Sequence, residues 1–295
     1  MGLMSRWQLP EGARPFDQAV GPFPEEPFLD VWMATLGTGN AVTVASGDTA
    51  LPLVERDGLV TIAGDAHVTD YHSPLGPAPE DLAGQLIEAR GDSAGVVLDS
   101  LPEGSARALE KGLEAAGVKP DFAQSEITAV IEVDGDYLSQ LSRKQRHEVR
   151  RKHRRFVEAE GAPRIHIRHE DRDSITRFLE MHRMAEGDKG DFMTGRREGF
   201  FRSLYGSEGW EIAELTTGST VVASAFGFRD DDAYYLYNSA YDLRYREVSP
   251  GIVMLHLLIE HLVESGCRRI DLLKGDEIYK FRMGAERRPL FRISF

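Results

Sequence analysis

Acid, phenol and ammonium groups stand close together near the end of the chain, in the segment IDLLKGDEIYKFRMGAE at 270–286. Formation of an amide needs a group that accepts the amine proton and donors that stabilise the tetrahedral oxyanion. Glu277 offers the carboxylate, and Tyr279 and Lys280 offer the donors. The spacing is therefore compatible with acyl transfer, and equally with a charged hairpin whose lysine faces solvent.

A turn at 246–251 opens an apolar helix. Ser249 is a favoured N-cap type, Pro250 suits the first helical position, and Gly251 leaves the backbone accessible. The free N–H groups of such a helix end bind phosphate readily, and Arg246 lies just upstream. We therefore expect a phosphorylated cofactor here, although a merely well-capped helix fits the turn too. The expected contacts are Tyr241, Arg246, Val248, Ser249, Gly251 and Ile252.

The strand AYYLYNSAY precedes this turn. Strict alternation predicts one face with Tyr235, Tyr237 and Tyr241, and another with Tyr234, Asn238 and Asp242. Tyr237 is thereby a candidate substrate contact. Asp242, at the end of the strand, is a second candidate for accepting the amine proton.

A positive segment, RKQRHEVRRKHRR at 143–155, lies in a chain whose net charge is −13. The overall acidity argues against broad nucleic-acid binding. A solvated helix surface is one reading of the segment. The other is an anion-binding face for cofactor phosphates, for a tRNA acceptor stem or for a phosphorylated substrate.

Two further sites are candidates for substrate contact. His182 lies on a predicted helix before a glycine-rich loop at 187–195, which is suited to a mobile lid. Asp70 and Tyr71 lie in VTDYHSPLG. A structural role is the plainer reading of each.

The length of 295 residues predicts two domains, which we place at 1–135 and 136–295. After an extended lead-in over the first 30 residues, the pattern indicates an α/β (α+β) order in both halves. Predicted strands lie at 41–45, 51–55, 59–63, 95–98, 126–133, 164–168, 210–216, 220–229, 233–241, 269–273 and 290–295. Predicted helices lie at 79–89, 105–116, 136–160, 173–186, 200–205 and 250–265.

Several classes of function are disfavoured. The sequence has no His-Glu-x-x-His, Cys-x-x-Cys or P-loop spacing, so we expect no metal. The single cysteine, Cys267, suits a reducing compartment, and neither a signal sequence nor a spanning apolar run is recognisable. We therefore expect a cytoplasmic protein without integral membrane association.

Arg246-x-x-Ser249-x-Gly251 resembles the pyrophosphate-binding loop of GNAT acyltransferases, Gln/Arg-x-x-Gly-x-Gly/Ala, with serine where the first glycine is usual. Together with the segment that follows, it resembles the C-terminal motif of the CelD/FemAB-like acyltransferases. The resemblance covers about 137–290 well, including the basic helix, and is weaker over 28–76. The matching residues are Ser249, Pro250, Gly251, Gly266, Asp271, Leu273, Gly275, Glu277, Tyr279, Lys280 and Gly284.

This resemblance implies two GNAT-like domains, each a mixed, mostly antiparallel sheet flanked by helices, with the active site between them. The first domain would be degenerate and serve the substrate side. It also implies that Lys280 stabilises developing negative charge. The expected activity is N-acyl transfer from acetyl-CoA or another acyl-CoA to a small-molecule or peptide amine.

Two alternatives stay open. One is a FemAB-like transferase that takes its acyl group from aminoacyl-tRNA, bound through the basic helix, and acts on a cell-wall precursor or a peptide. The other is a GNAT-fold scaffold without turnover.

Overall fold

A computed structural model of the chain describes residues 6–295, without the side chains of 188 and 189. The chain divides into two compact units. The first comprises residues up to 127 together with 289–295, and the second comprises 128–288. The division thus lies before the 135/136 boundary expected from the sequence, and the last strand returns to the first unit.

The first unit is a sheet flanked by helices, with the strands in the order β1 (Asn40–Ser46), β2 (Thr49–Arg56), β3 (Leu59–Ile62), β4 (Gly95–Leu101) and β11 (Glu286–Ser294). The strands pair antiparallel except for β3 and β4, which run parallel. Leucine and valine side chains from both strands and helices form its core, including Leu53, Leu86 and Leu98. Its elements are α1 (Glu26–Thr35), β1 (Asn40–Ser46), β2 (Thr49–Arg56), β3 (Leu59–Ile62), a 3-10 helix (Pro79–Leu82), α2 (Ala83–Arg90), β4 (Gly95–Leu101), α3 (Glu103–Ala115), the start of β5 (Asp121–Glu132) and the end of β11 (Glu286–Ser294).

Helix α1 was not expected, because the lead-in shows no helical period. Its start carries a proline in the first turn, and Phe28, Leu29 and Trp32 are buried on one side. Burial of large side chains, rather than a capping signal, therefore makes this segment helical.

The second unit is a sheet with the strands in the order β5 (Asp121–Glu132), β10 (Arg269–Lys274), β9 (Ala233–Tyr241), β8 (Thr220–Arg229), β7 (Trp210–Thr217) and β6 (Pro163–Arg168). The pairs are antiparallel except for β9 and β10, which run parallel. Its elements are the end of β5, α4 (Tyr137–Gln140), α5 (Arg143–Glu160), β6 (Pro163–Arg168), α6 (Arg172–Arg183), α7 (Asp188–Phe192), α8 (Gly195–Tyr205), β7 (Trp210–Thr217), β8 (Thr220–Arg229), β9 (Ala233–Tyr241), a 3-10 helix (Leu243–Val248), α9 (Pro250–Glu264), β10 (Arg269–Lys274), α10 (Ile278–Arg282) and the start of β11.

The expected fold class, α/β with mixed and mostly antiparallel sheets flanked by helices, is confirmed in both units. The single long helix expected at 136–160 was wrong. Leu141 takes an extended conformation and ends α4, and Ser142 starts α5 with a capping box completed by Gln145. A capping box satisfies the first free N–H groups of a new helix, so the chain restarts here.

The parallel strands β9 and β10 of the second unit pair over three residues and then separate. Residues 233–235 of β9 pair with 269–271 of β10, and the ladder stops at Tyr235 and Asp271. Beyond that point β9 continues to Tyr241 along β8, while β10 shifts register against β5. The two strands therefore diverge toward the start of α9.

A bulge in β9 changes the predicted faces of the strand. Asn238 pairs with Phe226 and Leu236 with Gly227, which leaves Tyr237 as the extra residue. Because one extra residue reverses the side of everything after it, Tyr241 packs with Tyr234 in the core beside α9. The prediction that Tyr241 shares a face with Tyr235 and Tyr237 was wrong.

Candidate active site

Ser249 begins α9 in a left-handed conformation, with φ 55° and ψ 53°. Its side chain forms no capping hydrogen bond, so the side-chain cap expected from the sequence was wrong. Its carbonyl instead accepts from the N–H groups of Ile252 and Val253 at 3.1 and 3.2 Å. A residue with a β-carbon takes this conformation at a cost of about 1 kcal/mol, which glycine does not bear.

The backbone at the start of α9 is open to a ligand. A Cβ added to Gly251 would lie 3.7 Å from Tyr241 Cδ1, an ordinary contact, so the glycine leaves space beside the tyrosine ring. Val248 is buried below the turn, and Ile252 is half-buried in the first helical turn. Among the side chains that the structure describes, the exposed Arg246 pairs with two distant carboxylates, Glu247 at 3.6 Å and Glu186 at 4.0 Å. Such surface pairs are weak, so the guanidinium is available to an anion.

The ammonium group of Lys280 is buried and fully engaged. Its Nζ donates to the carbonyls of Leu273 at 3.3 Å and Lys274 at 2.5 Å, and lies 3.0 Å from Glu277 Oε2. An ammonium has three protons, so these three acceptors use all of them. In this conformation Lys280 holds the end of β10 and Glu277 in place.

Gly275 makes room for the carboxylate of Glu277. A Cβ at Gly275 would stand 2.4 Å from Glu277 Oε2, closer than non-bonded atoms allow, and its φ of 114° disfavours other residues. The Glu277 side chain itself is 56% exposed. The Gly-x-Glu spacing is therefore needed for the carboxylate to reach Lys280 while it stays open to solvent.

The phenol of Tyr279 lies at the surface of a cleft. Burial, with a smaller contribution from the charge of Glu277, raises its pKa to about 12. The group therefore stays protonated at neutral pH and can donate a hydrogen bond or a proton.

Asp242 is bound to Arg244. Arg244 Nε lies 2.9 Å and Nη2 lies 2.5 Å from Asp242 Oδ2, while Oδ1 accepts from the Arg244 backbone N–H at 2.9 Å. The hydrogen bond from the Arg244 side chain lowers the pKa of Asp242. Since the carboxylate also caps the 3-10 helix, it is a weak base with a structural task.

A cleft of about 450 Å³ joins three segments that lie far apart in the sequence. The start of α9 contributes Ile252, and α10 contributes Tyr279, Arg282 and Met283. The basic helix α5 provides the rest of the wall, namely Lys144, Gln145, His147, Glu148, Val149 and Lys152. The first turn of α9, the helix α10 with Tyr279 and the basic helix α5 therefore meet at one place.

Helix α5 is fixed against this cleft by specific contacts. Gln145 Nε2 donates to the carbonyl of Phe281 at 2.8 Å, and Tyr137 Oη donates to that of Met283 at 2.8 Å. Gly284 lets the chain pass Leu141, since a Cβ there would lie 2.6 Å from Leu141 Cδ2. The cationic side of α5 is thus held beside α10.

The cleft also contains residues that the sequence analysis did not select, namely Gln145, Val149, Arg282 and Met283. The Ser142-x-x-Gln145 capping box was a readable signal for the start of α5. No local pattern indicates that Gln145 reaches α10, because that contact joins residues far apart in the chain.

Four expected substrate residues lie elsewhere. His182 is buried, with Nε2 3.1 Å from Asn238 Oδ1, and packs on Phe178 and Phe192. Tyr237 packs among aromatic rings, including Phe201 at 5.4 Å and Trp210 at 5.3 Å. Neither residue lines the cleft.

Asp70 and Tyr71 belong to the first unit, where Tyr71 is buried against Phe23. The expected lid at 187–195 contains the short helix α7 instead of an irregular loop.

Within 6–295 no group of three or more histidine, cysteine or carboxylate side chains is arranged to hold a metal ion. Nor does any described helix combine the length and apolarity that crossing a membrane requires.

Comparison with known proteins gives a match to one family model. Residues 143–281 match the family model described as "Acetyltransferase (GNAT) domain". That range includes α5, the turn at 246–251 and the Tyr279-Lys280 motif. Among curated proteins, none matches this sequence.

Several solved structures share the fold. A conserved protein of unknown function from Bacteroides thetaiotaomicron has a TM-score of 0.67 at 12% identity, covering 99% of this chain and 94% of its own. L-PGS from Bacillus licheniformis has a TM-score of 0.62 at 12% identity, and the match covers 94% of this chain and 93% of that protein. FemX has a TM-score of 0.59 at 12% identity, covering 95% and 93%. At these identities the likeness concerns the fold.

Proposed function

We propose that this chain, whose residues 143–281 match a GNAT acetyltransferase domain, is an N-acyltransferase that uses an acyl-CoA donor. The observation that carries the proposal is the cleft in which Ile252, Tyr279 and the lysines of α5 meet. It combines a helix N-terminus, a phenol and cations within one space. Those are the groups that a phosphorylated thioester donor requires.

The diverging strands β9 and β10 support a place for the donor. Their ladder ends at Tyr235 and Asp271, so the following backbone groups of β9 no longer face a β10 partner. An extended donor arm can lie along such an edge through main-chain hydrogen bonds. Its pyrophosphate would then lie at 248–252, next to Arg246.

The proposed reaction is attack of the acceptor amine on the thioester carbonyl. A C–N bond forms, the C–S bond breaks, the amine proton passes to Glu277 and Tyr279 protonates the thiolate. Glu277 is preferred over Asp242 as the base, because the Glu277 side chain is open to solvent although it is paired with Lys280, whereas Asp242 is buried and bound by Arg244. Lys280 positions Glu277 and the end of β10.

Calorimetric titration with acetyl-CoA tests the donor, and release of free thiol over a panel of amines tests the transfer. We expect micromolar binding and acceptor-dependent thiol release. A protein that binds no acyl-CoA at low salt would overturn the proposal.

An aminoacyl-tRNA donor is the second candidate, favoured by the exposed arginines of α5, including Arg143, Arg151 and Arg154. The same titration with deacylated tRNA separates the two. Tight tRNA binding without acyl-CoA binding would favour this alternative, whereas binding of neither would favour a scaffold without turnover.

A further inference from the structure

Three cations in the cleft lack salt-bridge partners. Lys144 and Lys152 lie two helical turns apart on α5, and Arg282 lines the same cleft from α10. Among the side chains that the structure describes, none of the three forms a salt bridge. In a protein with a net charge of −13, such an arrangement concentrates positive potential in one space.

The one carboxylate in the cleft wall is already occupied. Arg151 Nε and Nη2 each lie 2.8 Å from a different oxygen of Glu148. The hydrogen bond from Arg151 lowers the pKa of Glu148, and the charge of Lys152 adds only a smaller contribution. Glu148 therefore mainly compensates Arg151, and leaves the lysines of the cleft largely without a counter-ion.

The rest of the wall consists of the polar side chains of Gln145 and His147 and of an apolar patch. Val149 and Met283 are buried, Ile252 is half-buried, and the ring of Tyr279 is 36% exposed. An apolar wall with an aromatic ring, bordered by cations, suits a nucleobase that carries phosphate. A fatty acyl group would leave the three cations without a counter-ion.

Ile252 connects this cleft with the turn at 246–251, because it belongs to the first turn of α9 and also lines the cleft. We propose that Lys144, Lys152 and Arg282 bind a phosphomonoester on the nucleotide end of the donor, beyond its pyrophosphate. The protein would then select donors with a phosphorylated ribose, as in CoA. This inference rests on the proposed function for the identity of the donor.

The test compares adenosine 3',5'-bisphosphate with adenosine 5'-monophosphate, which lacks only the 3'-phosphate, as ligands in calorimetry. We expect the wild-type protein to bind the bisphosphate at least about tenfold more tightly, because only this ligand has the 3'-phosphate that would make charge-assisted contacts with the three cations. The variant Lys144→Ala/Lys152→Ala should lose that preference. The matched control Arg154→Ala/Arg155→Ala removes the same charge from exposed positions of α5 outside the cleft, and should keep it.

Equal affinity for both nucleotides in the wild-type protein would overturn the inference, as would an unchanged preference in the Lys144→Ala/Lys152→Ala variant. Displacement of the bisphosphate by deacylated tRNA at lower concentration than by CoA would overturn it too.

The results that would contradict the proposed function differ from those that would contradict the phosphomonoester subsite. Bisphosphate binding that depends on the lysines, without acyl-CoA turnover, supports the subsite and contradicts the transfer reaction. Turnover with equal affinity for CoA and 3'-dephospho-CoA supports the reaction and contradicts the subsite.

Discussion

The side-chain amide of Gln145 donates to the backbone carbonyl of Phe281 over 2.8 Å, and so joins the basic helix α5 to the helix α10 that carries Tyr279. The same side chain closes the capping box of α5, where its Oε1 accepts from the Ser142 N–H at 2.9 Å. One residue thus both starts α5 and positions it.

We expect Gln145→Ala to lower the free energy of unfolding by about 1–2 kcal/mol, because it removes two hydrogen bonds and leaves a carbonyl unsatisfied. Affinity for acyl-CoA should fall as α5 loosens. Denaturant unfolding and calorimetry measure the two effects. The control is Glu158→Gln, at an exposed position of α5 outside the cleft, which should change neither the stability nor the affinity. Wild-type affinity in Gln145→Ala would show that α5 does not shape the donor site.

Ser249 and Ser142 are both N-cap residues but behave differently. Ser142 Oγ accepts from the Gln145 N–H, whereas Ser249 makes no side-chain cap and is left-handed. We expect Ser249→Gly to stabilise the protein by about 0.5–1 kcal/mol, Ser249→Ala to be nearly neutral, and Ser142→Ala to cost about 1 kcal/mol. Unfolding midpoints measure all three. A loss of stability in Ser249→Gly would show that its hydroxyl has a stabilising partner.

Lys280→Ala should lower the free energy of unfolding by about 2–4 kcal/mol, because two carbonyls and Glu277 lose their donor. Turnover should fall with it, and acyl-CoA affinity should fall as the end of β10 loosens. Urea unfolding, calorimetry and initial rates measure these changes. Unchanged stability and affinity with abolished turnover would instead place the ammonium at the reacting carbonyl, as the family resemblance implies.

Glu277 and Asp242 are distinguished by paired amide variants. Glu277→Gln should lower kcat by roughly 100-fold or more through loss of the proposed base, and should cost less stability than Lys280→Ala because the amide oxygen can still accept from Lys280 Nζ. Asp242→Asn should cost about 1–2 kcal/mol of stability through its contacts with Arg244, while kcat stays near the wild-type value. The reverse pattern would reassign the base to Asp242.

A buried histidine predicts acid sensitivity. Burial, then the charges of His153 and Arg150, lowers the pKa of His256 to about 4, although Glu260 lies 3.6 Å from its Nε2. Because the folded pKa lies below the unfolded one, the stabilisation is complete above about pH 6.5 and is lost as pH falls toward 4. The predicted loss is about 3 kcal/mol.

Unfolding free energies of the wild-type protein and of His256→Asn, measured between pH 7 and pH 4, check this. The variant should show a flatter dependence, whereas His67→Asn, at an exposed position in the first unit, should follow the wild-type curve. Parallel curves for the wild-type protein and His256→Asn would contradict the assignment.

Local patterns in the sequence were enough to predict many elements, because their causes are local. Alternating apolar residues and the Asp57-Gly58 turn predict the β2–β3 hairpin, and proline near the start of α9 predicts that helix. The motif at 246–251 and the Glu-x-Tyr-Lys spacing likewise indicate the family from residue types and spacing alone. Such signals depend on neighbours within a turn or on a single periodicity.

Tertiary structure alone decided where the side chains act. The bulge at Tyr237 moved Tyr241 to the α9 side of the sheet, and a one-residue insertion leaves no mark in the composition of a strand. Lys280 was expected to stabilise a developing negative charge, and only the folded chain shows that its ammonium donates to carbonyls at the end of β10. The cleft unites α5, α9 and α10 for the same reason: contacts between distant segments depend on packing geometry, which no local spacing encodes.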